Sequence, residues 1–362
     1  MPTIELTALQ QEAINLTKQN KPTTCIGGYA GTGKTTIISA LAKTNNWRVA
    51  TPTGKAALVL KQKGIYATTI HHLLYKPILD ENNHLVGFKK RKRVEAPLLI
   101  IDEASMISME LFNDIRNTEG IGKIVLVGDP FQLPPVKAHQ YFTNEKLNIT
   151  LTQVHRQAEK SLVLKTATQI RQQKQINLPF EKRPLAEALK KVTTLNTNTA
   201  IITWTNQTRH NINNLITGDR TPKIGDIIIG TRNNHEAGYI NGEQYLIEKL
   251  GGINQELSCQ NAIIKTPEET LRVKLDLGQK TYQDRINTLG GKEEYQAKLG
   301  DLVEWDYGYA LTTHKAQGSQ WQEIYLVPEY PMNRQEANRW YYTAITRAQS
   351  QVFLVDSPPN PS

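Results

Sequence analysis

A glycine-rich turn near the start of the sequence carries the residues best suited to chemistry. Gly28, Gly33, Lys34 and Thr35 form the pattern Gly-x-x-x-x-Gly-Lys-Thr, which follows an apolar run and precedes a helix-like segment. In such a turn backbone N–H groups approach a phosphate, the lysine reaches the β- and γ-oxygens, and the threonine hydroxyl binds Mg²⁺. The pattern therefore predicts a site for a nucleoside triphosphate and magnesium. The residues expected to hold them are Gly28, Gly31, Thr32, Gly33, Lys34, Thr35 and Thr36.

Two acidic residues and a glutamine are expected beside this turn. Asp102 and Glu103 end the apolar run LLII, and Gln132 follows the run VLVGD. Asp102 can hold magnesium, Glu103 can polarise an attacking water, and Gln132 can hydrogen-bond that water and a γ-phosphate. The two acids could instead cap a helix, and Gln132 could be an ordinary turn residue. Two acids rather than one favour hydrolysis.

Short apolar runs must position these side chains. In the first 150 residues such runs alternate with helix-like segments, which is typical of buried parallel strands in an α/β sheet. Similar runs return at 199–206, 323–329 and 351–356. Ligands gather at the carboxyl ends of strands in such sheets. The residues expected to meet at one edge are Gly28, Thr51, Asp102, Glu103 and Asp129.

The chain divides into regions of different character. We expect one α/β domain over residues 1–157 and a second over 158–221 and 301–362. Between the two pieces of the second domain, residues 222–300 combine β-rich runs with glycine- and asparagine-rich turns, which predicts a small β-barrel and, at 279–299, a short helical arm. Two apolar pieces that flank ENN within residues 75–95 predict a β-hairpin.

The bulk composition narrows the function classes. The formal net charge of +9 favours a polyanionic partner without identifying one. The two cysteines, Cys25 and Cys259, are far apart, so they form no zinc-binding pattern and fit a reducing compartment. No window approaches ~20 consecutive apolar residues, and the first residues lack a signal-peptide pattern. We therefore expect a cytoplasmic protein with no membrane partner.

Together these segments resemble the superfamily 1 helicases, specifically the RecD/Dda-like branch. LTALQ resembles the Q motif, ATPTGKAA and TTIHHLL motifs Ia and Ib, and IIDEAS and GDPFQLPPV motifs II and III. LTQVHRQ, YALTTHKAQGSQW and YYTAITRA resemble motifs IV, V and VI. The resemblance covers nearly the whole chain. It implies two RecA-like P-loop domains with parallel sheets and ATP between them, a strand-separating pin at the hairpin, and an SH3-like β-barrel in the second domain.

The resemblance also assigns residues. It implies that Gln10 reads the adenine and that Arg156 and Arg347 are arginine fingers from the second domain. A guanidinium that enters only when the cleft closes would couple hydrolysis to domain motion. Either arginine could instead form a surface ion pair. The implied catalytic set is Lys34, Asp102, Glu103, Gln132, Arg156 and Arg347, with Thr35 and Asp102 at the metal.

Other residues in these motifs are expected to contact a nucleic acid strand. Hydroxyls, amides and cations contact phosphates without reading sequence. The candidates are Thr51, Pro52, Thr53, Lys55, Thr69, His71, Asn206, Arg209, Thr313, His314 and Lys315. Each alone could be an ordinary loop or capping residue. Phe88 in the hairpin could stack on a base at a fork or pack against the domain. The five cations at 89–93 could grip duplex phosphates, form a solvated basic face or act as a nuclear address.

The implied function is ATP- and Mg²⁺-dependent unwinding of DNA by a monomer. The resemblance implies 5′-to-3′ movement on single-stranded DNA towards fork DNA, in the cytoplasm of a bacterial or phage-infected cell. A single-strand-binding or replication protein is a candidate partner, and replication, repair and recombination are candidate pathways. Three alternatives stay open: a translocase that displaces bound proteins, a P-loop small-molecule phosphotransferase, and RNA as the track.

Overall fold

The computed structural model describes most of the chain. It covers residues 6–43, 47–79, 85–135, 138–153, 161–172, 178–193, 198–218, 221–234, 237–266, 269–329 and 333–356, with side chains omitted at 77–79 and 85–88. The predictions for Arg156 and for the Phe88 side chain therefore lie outside the described residues.

A six-stranded parallel sheet forms the centre of the first part of the chain, with strand order β3-β2-β6-β7-β1-β8. In chain order the elements are α1 (Ala8–Lys18), β1 (Thr23–Gly28), α2 (Lys34–Ala42), β2 (Trp47–Thr51), α3 (Gly54–Gln62), β3 (Thr68–Thr69), α4 (Ile70–Leu74), β4 (Tyr75–Leu79), β5 (Leu85–Lys90), β6 (Arg93–Ile101), α5 (Met109–Arg116), β7 (Glu119–Gly128) and β8 (Ile149–Leu151).

The apolar runs become the inner strands of this first sheet because helices cover both of its faces. Ile100 and Val125 pack with α1, α2 and α3 on one face, whereas Leu99 and Leu126 pack with α4 and α5 on the other. A strand buried on both sides is apolar at consecutive positions. Because all pairs of this sheet are parallel, the carboxyl ends of its strands, and the polar residues that follow them, lie at one edge.

Strands β4 and β5 form the two-stranded antiparallel hairpin that the sequence predicts. Asp114 on α5 holds both strands of this hairpin. Its carboxylate accepts a hydrogen bond from the Tyr75 hydroxyl at 2.5 Å and another from the Lys90 ammonium at 2.8 Å. These contacts hold the pKa of Asp114 below its usual value, with the Lys90 bond as the larger cause. The hairpin is thereby fastened to the first sheet.

The second part of the chain contains two further sheets. In chain order the elements are α6 (Leu162–Arg171), β9 (Lys182–Arg183), α7 (Leu185–Thr193), β10 (Thr199–Thr203), α8 (Asn206–Thr217), β11 (Ile227–Gly230), β12 (Gln244–Asn254), β13 (Cys259–Lys265), β14 (Thr270–Asp276), α9 (Tyr282–Leu289), α10 (Lys292–Leu299), β15 (Leu302–Val303), β16 (Trp305–Tyr307), β17 (Ala310–Thr312), α11 (Thr313–Ala316), β18 (Trp321–Leu326), α12 (Arg334–Ile345) and β19 (Ala348–Val355).

One of these, the second sheet, is parallel and has the order β17-β10-β18-β19-β9. The other, the third sheet, has the order β15-β14-β13-β12-β11-β16 and is antiparallel except for the β14–β15 pair. Strands β15 and β16 complete the third sheet, so it extends past residue 300, where the sequence predicts a return to the second domain. Both strands are too short to give a clear sequence signal. The domain limits stay a prediction.

Helices α9 and α10 fall within the segment 279–299, where the sequence predicts a helical arm. Arg285 of α9 is buried, and its guanidinium donates to Asp276 at the end of β14. Within the described part of the chain, no helix is both long enough and apolar enough to cross a membrane.

Candidate functional site

The turn between β1 and α2 has the geometry of a phosphate-binding loop. Gly31 and Gly33 have φ angles of 77° and 79°, a left-handed conformation that favours glycine. A Cβ on Gly28 would lie 2.9 Å from the Thr32 hydroxyl, so that position requires glycine as well. The Lys34 ammonium donates to the carbonyl oxygens of Gly28 and Tyr29 at 2.8 and 3.1 Å. Backbone N–H groups, a helix N-terminus and an ammonium therefore meet at one anion site.

A cavity of about 420 Å³ opens beside this loop, between the first and second sheets. The residues that line it from the first part of the chain include Lys34, Thr35, Asp102, Glu103 and Gln132. Ser161, Gln320, Thr346 and Arg347 line it from the second part. The structure thus brings together the catalytic residues that the sequence predicts, apart from Arg156. Gly31, Thr32 and Gly33 also line the cavity.

Arg347 reaches this cavity from the turn between α12 and β19. Only 4% of the residue is exposed. Its guanidinium donates to the carbonyl oxygens of Thr343 and Ser319 at 3.1 and 3.4 Å. The alternative of a surface ion pair does not fit this residue, because it is buried and its described partners are neutral oxygens.

The acidic pair stands at the end of β6, on the cavity wall. Burial and, next, the neighbouring Glu103 carboxylate raise the pKa of Asp102 to about 7, whereas Lys34 acts in the opposite direction. Glu103 has a φ of 53°, a left-handed conformation that is uncommon outside glycine. Such backbone strain clusters at functional sites.

Two buried acceptors in the cavity lack partners. Among the described residues, Glu103 Oε2 and Gln132 Oε1 have no hydrogen-bond donor. An unsatisfied buried acceptor costs ~1–3 kcal/mol, so a ligand that supplies donors would stabilise both. Water and metal-bound water are such donors. Together with the cationic groups of Lys34 and Arg347, these acceptors fit a triphosphate and a hydrated magnesium ion, and Thr35 and Asp102 would hold the metal.

Tyr342 of α12 ties the two parts of the chain together and is not among the residues predicted from the sequence. Its hydroxyl donates to Asp129 at 2.5 Å and accepts from the Ala30 backbone N–H at 3.0 Å. Burial, followed by the Asp129 charge, raises the pKa of Tyr342 well above its ordinary value. Burial also raises the pKa of Asp129. The phosphate loop, Asp129 and α12 are therefore joined by one shared hydroxyl.

A second link lies next to Gln132. The Leu133 N–H donates to the Thr343 hydroxyl at 2.9 Å, and the Gln317 amide donates to the Leu133 carbonyl at 3.1 Å. Thr343 and Gln317 lie in the segments that resemble motifs VI and V. Membership of these motifs was the sequence signal that could have identified Thr343 and Gln317, to which no role was assigned.

Gln10 lies behind the phosphate loop and does not line the cavity. It is 1% exposed, its side-chain amide donates to the Thr32 carbonyl at 3.2 Å, and its side-chain oxygen accepts from the Thr7 N–H at 2.9 Å. Both ends of the amide are thus used within the protein. The reading of an adenine by Gln10 stays a prediction. Thr36 lies in the first turn of α2, beside the loop.

The predicted strand-contact residues of the first part lie beyond the carboxyl ends of β2 and β3. Thr51 is buried and its hydroxyl donates to the Thr53 carbonyl at 2.8 Å. Thr53 and Thr69 cap the N-termini of α3 and α4, as the capping alternative predicts. His71 is exposed and stacks on Tyr75 with a centroid distance of 5.6 Å. Pro52 is partly exposed beside Thr53.

Lys55 is held by the third sheet. Its ammonium lies 2.6 Å from the carboxylate of Glu243, a residue whose side chain is 4% exposed. A Cβ on the preceding Gly54 would lie 2.5 Å from Ile240, so the two segments touch. The cation that the sequence assigns to a strand phosphate is therefore already paired.

The predicted strand-contact residues of the second part differ in exposure. Asn206 is exposed at the start of α8, whereas Thr313 is buried and donates to the Thr203 carbonyl at 3.2 Å. Arg209 is 3% exposed and donates to Asp306 at 2.7 Å. Lys315 lies 3.9 Å from the same carboxylate, and burial, more than the nearby Arg209, lowers its pKa. In this conformation Arg209 is not accessible to a strand.

An aromatic pair stands beside these residues. The rings of Trp204 and His314 have centroids 5.6 Å apart, and both side chains are partly exposed. Burial lowers the pKa of His314, which favours the neutral ring. Glu329 accepts hydrogen bonds from the backbone N–H groups of Trp204 and Thr205 and so fixes the loop. Trp204 was missed because a lone tryptophan after a buried strand is more often a core residue.

Two known protein families match parts of this sequence. One family model, described as an AAA domain, matches residues 5–192, which is more than half of the 362 residues. The chain belongs to this AAA-domain family. A second model, described as a UvrD-like helicase C-terminal domain, matches residues 307–355.

Individual relatives of this AAA-domain protein are helicases by name. The ATP-dependent RecD2 DNA helicase of Deinococcus radiodurans is 27% identical over 369 residues, which is 91% of this chain and 46% of the relative. The ATP-dependent DNA helicase Pif1 of Campylobacter jejuni is 25% identical over 407 residues, which is 91% of this chain and 87% of the relative. The chain thus spans less than half of the RecD2 relative. The resemblance to superfamily 1 helicases of the RecD/Dda-like branch is confirmed.

Solved structures extend this likeness to the fold. A Pif1 helicase from Bacteroides, in complex with ADP-AlF3 and ssDNA, superposes with a TM-score of 0.63 at 19% identity, over 98% of this chain and 93% of that one. The two parallel α/β sheets of the AAA-domain protein therefore resemble the RecA-like domains of Pif1 helicases. At this identity the likeness concerns the fold alone.

Proposed function

We propose that the chain is an ATP-dependent DNA helicase that moves along single-stranded DNA, 5′ to 3′, and opens duplex. One observation carries the proposal: Lys34 from the first sheet and Arg347 from the second line the same cavity. Relatives named as ATP-dependent DNA helicases agree with it. A triphosphate held by residues of both sheets favours their approach, and its loss allows them to separate.

The residues have separate tasks in hydrolysis. Lys34 and Arg347 would neutralise the charge that grows on the γ-phosphate oxygens, and Glu103 would orient the attacking water with Gln132. Magnesium, when bound at Thr35 and Asp102, would neutralise the β- and γ-phosphate oxygens. Arg156 is proposed as a second finger and Gln10 as the adenine contact.

The tracked strand would lie across the carboxyl ends of both parallel sheets. Pro52, His71, Asn206 and Lys315 are at least partly exposed there, and the Trp204–His314 pair could stack an unpaired base. The β4–β5 hairpin would be the strand-separating pin, with Phe88 at the fork. The third sheet would be the SH3-like barrel inserted into the second RecA-like domain. We propose a cytoplasmic monomer whose further partner is a single-strand-binding or replication protein.

The test is unwinding of two duplexes, one with a 5′ overhang and one with a 3′ overhang, in the presence of ATP and magnesium. We expect opening of the 5′-overhang substrate and hydrolysis stimulated by single-stranded DNA. Opening of only the 3′-overhang substrate would refute the direction. Hydrolysis that ignores the polymer would point to a small-molecule phosphotransferase instead, and removal of streptavidin without opening of duplex would indicate a protein-displacing translocase.

A further inference from the structure

A second cavity, of about 370 Å³, lies at the foot of the hairpin. It is bounded by β2, the edge strand β3, α4 and the start of β6, and among the described residues it shares no lining residue with the nucleotide cavity. Its polar and aromatic lining includes Arg48, Tyr66, Thr68, His72, Arg91 and Arg93. Neither the expected strand path nor the nucleotide site includes it.

Positive charge dominates this cavity, which we call the foot pocket. It has three arginines and one carboxylate, Glu95, which accepts a hydrogen bond from Arg93 at 2.7 Å. Two guanidiniums are left without an acidic partner among the described residues, those of Arg48 and Arg91. Arg91 Nε is buried and lacks any described acceptor. A planar donor of this kind matches phosphate oxygens, and leaving it unsatisfied is costly.

The neighbouring cations of the basic run differ from these two. Lys90 is bound to Asp114 at 2.8 Å, and Arg93 is bound to Glu95. Only part of the run 89–93 is therefore available to an outside anion. Arg91 and Arg93 both line the foot pocket, but of these two only Arg93 has a described acidic partner. The backbone N–H of Arg91 also donates to the Leu74 carbonyl at 2.7 Å, which fixes the pocket to the base of the hairpin.

An aromatic ring stands at the rim. Tyr66 is 76% exposed, and the Lys61 ammonium lies 5.7 Å from its ring centroid. An exposed ring beside phosphate-binding cations is the arrangement that holds an unpaired nucleotide, with the base on the ring and the phosphate on the cations. The bases of intact duplex are stacked on each other and could not use the ring.

We propose that the foot pocket binds a nucleotide of the displaced strand, the one that the motor does not track. This inference depends on the proposed function, since only a strand separated at the hairpin supplies unpaired bases there. The guanidiniums of Arg48 and Arg91 take its phosphate and Tyr66 takes its base. A displaced strand held at the foot of the hairpin is kept from re-pairing behind it.

Equilibrium binding without ATP tests the proposal, with fluorescence anisotropy as the readout. The two probes are a forked duplex with both single-stranded tails and a duplex that carries only the 5′ tail. We expect the wild-type chain to bind the fork about tenfold more tightly, as one stacked base and one phosphate contact imply. Arg48→Ala and Tyr66→Ala should each reduce this preference, and the double variant should remove it, while affinity for the 5′-tailed duplex is unchanged.

Arg116→Ala is the matched control. Arg116 is an exposed arginine at the end of α5, in the same first part of the chain, and it lines neither cavity. Both target side chains are exposed, so thermal melting should be unaltered in the variants. Equal affinity of the wild-type chain for the two probes would overturn the proposal, as would a fork preference that survives in the double variant.

Three further outcomes distinguish a free nucleotide from a DNA strand as the ligand, and the foot pocket from the helicase function. Tight binding of dAMP that is lost in the variants, without any fork preference, would assign the pocket to a free nucleotide and overturn the assignment to a strand. Normal unwinding of the 5′-overhang substrate by a double variant that retains its fork preference would reject the pocket and leave the helicase function standing. If the wild-type chain cannot unwind duplex but prefers the fork, and the variants lose that preference, the helicase function is rejected and the foot pocket stands as a binding site.

Discussion

The proposed nucleotide cavity and the proposed strand-contact surface differ in how their polar residues are used. In the cavity, Glu103 and Gln132 each keep an acceptor without a described partner. On the strand side, Lys55 and Arg209 are bound to Glu243 and Asp306, and several hydroxyls cap helices. The first region is arranged for a ligand before the ligand arrives. The second must exchange internal contacts for external ones, so its occupation by a strand should depend on the conformation of the protein.

Arg347→Ala should have the largest effect, because it removes the cationic group that the second sheet supplies to the cavity. We expect strand-stimulated hydrolysis to fall by ~10³ or more. A phosphate-release assay with saturating single-stranded DNA measures it. Arg334→Ala, at the exposed start of α12, the helix that precedes Arg347, is the control. A wild-type rate in Arg347→Ala would show that the cavity is not completed from the second sheet.

Tyr342→Phe should have the next effect, because it leaves Asp129 and the Ala30 N–H without their shared hydroxyl. We expect the free energy of unfolding to fall by ~1–3 kcal/mol. The hydrolysis rate should fall more than ATP affinity, since the change alters the alignment of the two sheets rather than the phosphate loop itself. Chemical denaturation and steady-state kinetics measure the two quantities.

Tyr341→Phe is the matched control for that prediction, because its hydroxyl donates to the Glu329 carbonyl within the second part of the chain. If both variants lose hydrolysis equally, the contact between the sheets has no special role and the contrast between the two regions weakens.

Arg209→Ala distinguishes a structural ion pair from a strand contact. We expect a loss of ~1–3 kcal/mol in the free energy of unfolding, because Asp306 loses a partner that is almost completely buried. The salt dependence of single-strand binding should stay the same. A drop of about one in the slope of log affinity against log salt would instead reveal a phosphate contact and would return Arg209 to the strand path.

Glu243→Gln should have the smallest effect and the opposite sign. Neutralising the partner of Lys55 frees its ammonium, so single-strand affinity should rise a few-fold and its salt slope should increase. Glu248→Gln, which breaks the exposed pair with Lys265 on the same third sheet, is the control and should leave affinity unchanged. An unchanged affinity in Glu243→Gln would show that Lys55 is a structural residue of the contact between the sheets.

The sequence predicted the cavity better than the strand side for a physical reason. A phosphate loop restricts residue type at fixed positions, because glycine must take left-handed angles at Gly33, and Lys34 and Thr35 must follow it. Strand contacts need only a hydroxyl or a cation, and those groups cap helices and form ion pairs equally well. The partners of Lys55 and Arg209 lie 188 and 97 positions away along the chain, a separation at which one sequence shows no pairing.

The fold likewise divides into elements that the sequence predicted and elements that it did not. Runs buried on both faces predict parallel strands, and the hairpin at 75–95 was expected from its turn residues. Strands β15 and β16 were not, because two or three residues carry no periodicity. Tyr342 was also missed, since its role arises only when two distant segments meet. The foot pocket, whose lining includes Arg48 and Tyr66, joins residues that carry no motif.

The attachment of both hairpin strands to Asp114 has a mechanical consequence. A hairpin held at one strand alone could rotate about its connection to the domain, so a force on its tip would move the hairpin instead of being resisted. With Tyr75 and Lys90 bound to one carboxylate on α5, the protrusion must travel with the sheet beneath it. Under the proposed role of the hairpin as a strand-separating pin, each displacement of that sheet would be transmitted directly to the junction of the two DNA strands.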